Sequence, residues 1–302
     1  MKSGFVSFVG RPNAGKSTLL NRLVGAKLAI VSDKPQTTRT RILGVRNYPD
    51  AQVVFLDTPG IHRPLHRMNV RMVELALQTM KDVDVLGLVV DVTEPPGKGD
   101  RYVLDLLKDV KAPVFLVLNK IDRVKKFKLL PLIDAFQKDG RFAEIVPVSA
   151  QTGDNVERLE RLIIDRLPEG PALYPADYLT DQPERFMAGE MVREKLLQFT
   201  HAEIPFSSAV VVDRFEEPPE EGGLLKIYCT ILVDRESQRP IILGKGGDMI
   251  KQIGTAARLE LEAFFATRVF LDLHVKVAAD WREDDRVLQN IVTSAGRHDD
   301  ER

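Results

Sequence analysis

Short apolar runs at 5–9, 53–56, 85–90, 114–118 and 145–148 punctuate the first half of the chain. They are continuous rather than alternating, the pattern of strands covered on both faces. Between them, at 17–24, 70–80, 102–108 and 156–167, apolar residues recur at helical spacing. Strand and helix in alternation predict an α/β domain over residues 1–168, a mostly parallel sheet with helices on both faces. The texture then changes. Pro168, Gly170, Pro171, Pro175 and Pro183 crowd a short stretch. Proline fixes φ and removes a donor, so 169–183 reads as an extended linker. A helix follows with Val192, Leu196 and Phe199 on one face. Strands are expected near 207–213 and 224–234; in the second, Leu225, Ile227, Cys229, Ile231 and Val233 alternate with mostly polar neighbours. Two helical segments flank a glycine cluster at 244–247, and a last strand places Val269, Leu271, Leu273, Val275 and Val277 on one face. The order α-β-β-α-α-β defines an α+β domain over 184–281, and the acidic tail 282–302 is expected to fray. No internal repeat is evident.

The 302 residues are 44% hydrophobic, enough for ordinary globular cores, which excludes a disordered chain. The net charge of −1 hides an asymmetry, +8 over 1–168 against −9 over 169–302. Any nucleic-acid site in the second half must therefore be local. The single cysteine, Cys229, excludes a disulfide framework or a cysteine-rich metal site and reads as a packed core residue. The N-terminus lacks the apolar segment and cleavage site of a secretory signal. No apolar run approaches the roughly 20 residues that span a bilayer. A soluble, cytoplasmic chain is expected.

Gly10-Arg11-Pro12-Asn13-Ala14-Gly15-Lys16-Ser17 fits G-x-x-x-x-G-K-[ST], between an expected strand and an expected helix. Such a loop turns successive N–H groups into a concave nest at a helix N-terminus, a cradle for polyphosphate. Ala14, Gly15 and Thr18 belong to that cradle. Lys16 suits the β- and γ-phosphates, and Ser17 offers a hydroxyl to Mg²⁺. Asp57-Thr58-Pro59-Gly60 closes the run 53–56. Asp57 suits a Mg²⁺ partner, and the Gly60 N–H a γ-phosphate. Asn119-Lys120-Ile121-Asp122 closes the run 114–118. The Asp122 carboxylate accepts two bonds, matching guanine N1–H and the exocyclic amine, a pair adenine lacks. Lys120 lays its stem on the base, and Asn119 ties this loop to the phosphate loop. Ser149-Ala150 presents backbone N–H to guanine O6.

Together these motifs, in this order, resemble the translation-factor type of P-loop GTPase over about residues 4–168. The resemblance implies a GTP/GDP site with Mg²⁺. It selects Thr38, over Thr37 and Thr40, as the threonine that completes the metal shell when GTP is bound. It assigns Lys16, Thr38 and Gly60 to hydrolysis. Where many such enzymes carry a water-orienting glutamine, this chain has Ile61, as in the hydrophobic-substituted branch, which implies slow intrinsic turnover. An asparagine at the place of Asn13 implies a K⁺ site. Arg39 and Arg41 are expected to face solvent or RNA, an internal arginine finger being the other reading. His62 and His66, with Pro64 between them and no third ligand, do not make a metal pair.

Gly244-Lys245-Gly246-Gly247 is a G-x-x-G loop, through which backbone approaches an RNA phosphate chain closely. A second phosphate-binding loop or a plain helix–helix turn is the other reading of the loop alone. Around it, 235–258 carries Arg235, Arg239, Lys245, Lys251 and Arg258 against Glu236 and Asp248, a local +3. With the element order this resembles a type II KH domain, so Gly244, Lys245, Gly246, Gly247, Arg239 and Lys251 are the candidate RNA contacts. His274 and Lys276 are expected in solvent. The pairing of the two domains resembles the Era family of bacterial ribosome-assembly GTPases. It implies binding to small-subunit ribosomal RNA near its 3′ end, a role in 30S maturation and peripheral association with the cytoplasmic membrane. The competing reading is a signalling or membrane-associated GTPase whose KH-like domain binds protein. A GTP-dependent RNA-modifying enzyme finds no second catalytic constellation.

Overall fold

A computed structural model describes residues 1–62, 67–95, 97–138, 141–218, 220 and 222–292. His66 lies outside them, so the histidine spacing has no structural counterpart. The chain divides into two compact units, chiefly between Asp181 and Gln182, with Arg67 and Met68 grouped with the second.

In the first unit the order is β1 (Lys2–Val9), α1 (Lys16–Val24), β2 (Ile42–Asn47), β3 (Ala51–Asp57), α2 (Arg67–Thr79), β4 (Val85–Asp91), α3 (Lys98–Leu106), β5 (Val114–Asn119), α4 (Leu129–Gln137), β6 (Glu144–Pro147) and α5 (Val156–Arg166). The sheet runs β2-β3-β1-β4-β5-β6, parallel except for β2 against β3. Continuous apolar strands bury both faces. Leu19, Leu20 and Leu23 of α1 and Leu159 and Ile163 of α5 pack with Phe8 and Phe55 on one side. Ala76 of α2, Val103 of α3 and Phe136 of α4 pack with Leu86 and Leu116 on the other. A side chain as buried as Leu19, at 0% exposure, contributes about 2 kcal/mol. Chain order reverses at β1, whose neighbours are β3 and β4. The crevice beyond the carboxyl ends of these strands is where such sheets bind ligands.

Two elements of this unit went unread in the sequence. In β2 the apolar pattern is broken by Gly44 and Arg46, as suits an edge strand. In α4, Pro131 and exposed Leu130 hide the helical spacing. The proline-rich segment covers the open edge of β2. Val45 N–H donates to Leu179 O at 2.8 Å, Thr180 Oγ1 to Leu43 O at 2.6 Å, and Asn47 Nδ2 to Ala176 O at 2.9 Å. Gln52 Oε1 accepts from Leu173 and Tyr174 N–H.

The second unit contains α6 (Glu184–Phe199), α7 (Ile204–Ser207), β7 (Ser208–Glu216), β8 (Leu224–Val233), α8 (Arg239–Leu243), α9 (Asp248–Phe265), β9 (Arg268–Val277) and α10 (Asp285–Val292). Its sheet is β7-β8-β9, antiparallel then parallel. The alternating strands put Ile227, Cys229 and Val269 under Met187 and Met191 of α6 and Ala257 and Leu261 of α9. Cys229 is buried, and that burial pushes its thiol up to about 12. Where fraying was expected after residue 281, Asp285–Val292 is helical, with Leu288 fully buried. Just before it, Trp281 is buried and donates Nε1–H to Ser207 O at 3.0 Å.

Candidate functional site

The turn from β1 into α1 is left-handed at Gly15, φ 95°, where a Cβ would stand 2.2 Å from Asn119 Nδ2, so glycine is required there. Arg11 pins the outside of the loop to α3 through Asp100 at 3.0 Å, a partner no motif announces. Inside the loop Lys16 is buried, its Nζ donating to Arg11 O at 3.1 Å and Gly10 O at 3.3 Å. Burial lowers Lys16 to about 8, and the neighbouring Asp57 carboxylate opposes that shift.

Three hard oxygens meet beside it. Ser17 Oγ donates to Asp57 Oδ2 at 2.6 Å and lies 2.8 Å from Thr38 Oγ1, which is itself 3.2 Å from Asp57 Oδ2. Thr37 instead turns its hydroxyl to Lys34 O. Asp57 is fully buried. Burial raises its carboxyl above the usual range, and Lys16, Ser17 and Thr38 counter that. Its Oδ1 is buried with no hydrogen-bond partner. A cluster of two hydroxyls and a carboxylate with an orphaned oxygen fits Mg²⁺, which prefers hard oxygen ligands.

The base loop is tied to the phosphate loop by one side chain. Asn119, 1% exposed, donates Nδ2–H to Ala14 O at 2.8 Å and accepts from Ala150 N–H at 3.0 Å. Ser149 Oγ donates to Asp122 Oδ1 at 2.6 Å, which orients the carboxylate. Lys120 is left-handed, φ 71°, and its Nζ pairs with Asp91 Oδ2 at 2.5 Å. Asp91 is partly buried, which raises its carboxyl, yet hydrogen bonds from Lys120 and Thr93 bring it below the ordinary value. Lys16, Ser17, Thr38, Asn119, Asp122 and Ala150 line one cavity of about 410 Å³. Thr18 and Gly60 line it too.

Ile61, 1% exposed, belongs to the hydrophobic core and not to the cavity. Asn13 Nδ2 donates to Asp33 O at 2.5 Å, so the phosphate loop touches the segment that leads to Thr38. Arg39 departs from expectation: it is 2% exposed, packed inside rather than facing solvent. Arg41 is exposed and lies 4.0 Å from Asp181.

In the second unit the glycine loop joins α8 to α9. Gly246 has φ 64°, and a Cβ there would meet nothing within 4 Å. Lys245, Gly246, Lys251 and Arg239 are exposed, while Gly244 and Gly247 are half-buried. The eighteen-residue α9 starts at this loop, so its positive end faces the open side.

A family model described as 50S ribosome-binding GTPase matches residues 5–120, and a KH domain model matches 203–282. The chain is 51% identical over 290 residues to GTPase Era of Geobacter metallireducens, covering 96% of this chain and 97% of that one. The chain belongs to the GTPase Era family. GTPase Era of Heliobacterium modesticaldum is 49% identical over 96% of both chains. Among solved structures, Era in complex with MgGDPNP and nucleotides 1506–1542 of 16S ribosomal RNA superposes with a TM-score of 0.92 at 43% identity, covering 96% of this chain and 98% of that one. A single-residue variant of Aquifex aeolicus Era bound to GDP.AlF4⁻ gives the same TM-score and identity, with 96% and 99% coverage. The α/β GTPase fold followed by a KH domain is therefore that of Era. Among the described residues no helix is long and apolar enough to cross a membrane.

Proposed function

We propose that this chain is a GTP-hydrolysing switch that binds small-subunit ribosomal RNA near its 3′ end and assists 30S maturation. The observation that carries the enzymatic part is the convergence of Ser17, Thr38 and Asp57 beside the loop of Asn119 and Asp122. The RNA part draws on the open loop at Gly246 and on the solved Era complex with 16S nucleotides.

Lys16 holds the β- and γ-phosphates against the backbone nest, and Asp122 selects guanine. Ser17 and Thr38 would hold Mg²⁺, with Asp57 behind them. The metal supplies charge that neutralises the phosphate oxygens. The Gly60 N–H steadies the γ-phosphate. Because Ile61 is committed to the core, no side chain at that place orients water, and slow turnover follows. Asn13, reaching the Asp33 carbonyl, suits a K⁺ ion as an added charge; equal turnover in potassium and sodium buffers would remove that role. Loss of the γ-phosphate releases the Thr38 and Gly60 loops and changes RNA affinity.

Arg239, Lys245 and Lys251 meet RNA phosphates around the Gly244–Gly247 backbone. The site of action that goes with this reading is the cytoplasm, with peripheral association at the inner face of the cell membrane. The test is binding of a 16S 3′-end fragment to the full chain with a GTP analogue and with GDP. Tighter binding with the analogue is expected. RNA affinity absent in both states turns the reading toward a GTPase whose KH domain binds protein.

A further inference from the structure

We infer that the loop between β5 and α4 is a docking surface for an anionic lipid bilayer. The inference rests on the membrane association proposed above and says which surface carries it. From Arg123 to Ile133 the chain holds four cations, Arg123, Lys125, Lys126 and Lys128, and no carboxylate. The three lysines are exposed, and among the described residues none pairs with a carboxylate. Between and beside them stand Phe127, 65% exposed, and Leu130, 64% exposed, the two most exposed large apolar side chains of the described residues.

The patch is held in place rather than frayed. Lys126–Lys128 form a tight turn closed by Lys128 N–H to Lys125 O at 2.9 Å. Leu129 is buried, and Phe136 one helix face further on packs in the core. The fold therefore spends Leu129 inside and leaves Phe127 and Leu130 exposed, in the same short segment as three exposed lysines.

Apolar side chains presented to water in this way fit a partner with an apolar interior. RNA answers only half of the pattern. Its phosphates attract lysine and its bases stack on phenylalanine, but an aliphatic Leu130 has no π-face to offer. A lipid headgroup layer answers both halves: phosphates meet the ammonium groups while Phe127 and Leu130 enter the acyl boundary. Lysine suits that boundary, because its stem lies along apolar surface while its charge stays in water. Of the six residues only Arg123 lines the nucleotide cavity, so a bilayer seated on the other five leaves that cavity open.

The test uses the full chain in flotation with vesicles of phosphatidylcholine alone or mixed equally with phosphatidylglycerol. The wild type is expected to float with the anionic vesicles, less so at high salt, and not with the neutral ones. Each lysine near the surface is worth about fivefold in partitioning. K125E/K126E/K128E should therefore lose at least about a hundredfold, and F127S/L130S a smaller factor, with GTP turnover unchanged as the folding control. Wild-type flotation that the variants retain overturns this surface and leaves membrane association standing. A wild type that never floats overturns both. Variants that lose affinity for the 16S fragment but keep their flotation reassign the loop to RNA and overturn the proposal.

Discussion

The chain carries two glycine loops of opposite character, each proposed above to bind phosphate groups. Both precede a helix and both use left-handed glycines, at Gly15 before α1 and at Gly246 and Gly247 before α9. The first is enclosed: Lys16 is 5% exposed, and Asp57 behind it 0%. The second stands open, with no atom within 4 Å of a Cβ at Gly246. Enclosure grips a small ligand from every side and strips water from the charges that meet it, so each contact is strong. Openness lets a polymer enter and leave along the loop. There the lysines stay hydrated, and the attraction is screened by salt. One loop geometry thus gives an enclosed chamber in one place and an open surface in the other.

The comparison can be broken first at Lys16. Lys16→Ala removes the one dehydrated ammonium of the enclosed loop, and phosphate release from GTP should fall by about 10²–10³-fold. A drop of only a few-fold would mean that enclosure matters less than argued. Next, Asp122→Asn replaces an acceptor pair by one acceptor and one donor. Affinity for GTP should fall about a hundredfold, while xanthosine triphosphate, which presents a carbonyl where guanine has its amine, should gain; competition binding checks both. At the open loop, Gly246→Asp is sterically free and aspartate tolerates positive φ, so the variant should fold. Its added negative charge should weaken 16S-fragment binding by about tenfold to thirtyfold at low salt, less at high salt, with GTP turnover intact.

A pH titration sharpens the same contrast. Burial holds Lys16 down to about 8 in the nucleotide-free protein, and a bound triphosphate raises it. Above that pH the free protein loses a proton that the complex keeps, so binding takes one up. Nucleotide affinity should stay nearly level below pH 7 and fall by about fivefold between pH 8 and 9. RNA binding at the exposed lysines should show no such step. Calorimetry in buffers of different ionisation enthalpy reads the proton directly.

How much of this was legible in the sequence follows from what each feature demands. A triphosphate cradle needs particular residues at fixed spacing, so Lys16, Ser17, Asp57 and Asn119 are found by counting along the chain. The parallel sheet shows in its continuous apolar strands. The edge strand β2 does not, because Gly44 and Arg46 interrupt the pattern that a half-covered strand needs less. Arg39 is charged and reads as surface, yet the fold encloses it; burial of a single charged side chain leaves no periodic trace. The helix Asp285–Val292 was hidden by the acidic residues before it, although Leu288 and Ile291 share a face. Pairings across the fold are the hardest to read. Nothing local links Asp91 to Lys120, which meet only because β4 and β5 lie side by side with Asp91 opposite Asn119.

That pairing carries the smallest of these effects. Asp91 uses both oxygens: Oδ1 accepts from Thr93 N–H and Oγ1–H at 2.9 and 2.6 Å, and Oδ2 accepts from Lys120. Thr93 therefore fixes the carboxylate, and the carboxylate fixes the ammonium at the end of the stem expected to lie on the base. Asp91→Ala leaves Asn119 and Asp122 in place and frees only that stem. A partly exposed ion pair of this kind is worth about 1 kcal/mol, or about fivefold. The change should be in dissociation, since the guanine acceptors that admit the ligand are untouched. A stopped-flow chase of a fluorescent GDP analogue should show release about fivefold faster, with hydrolysis of bound GTP nearly unchanged. Release at the wild-type rate would mean that Lys120 holds its place through its left-handed backbone alone and that Asp91 adds nothing to the grip.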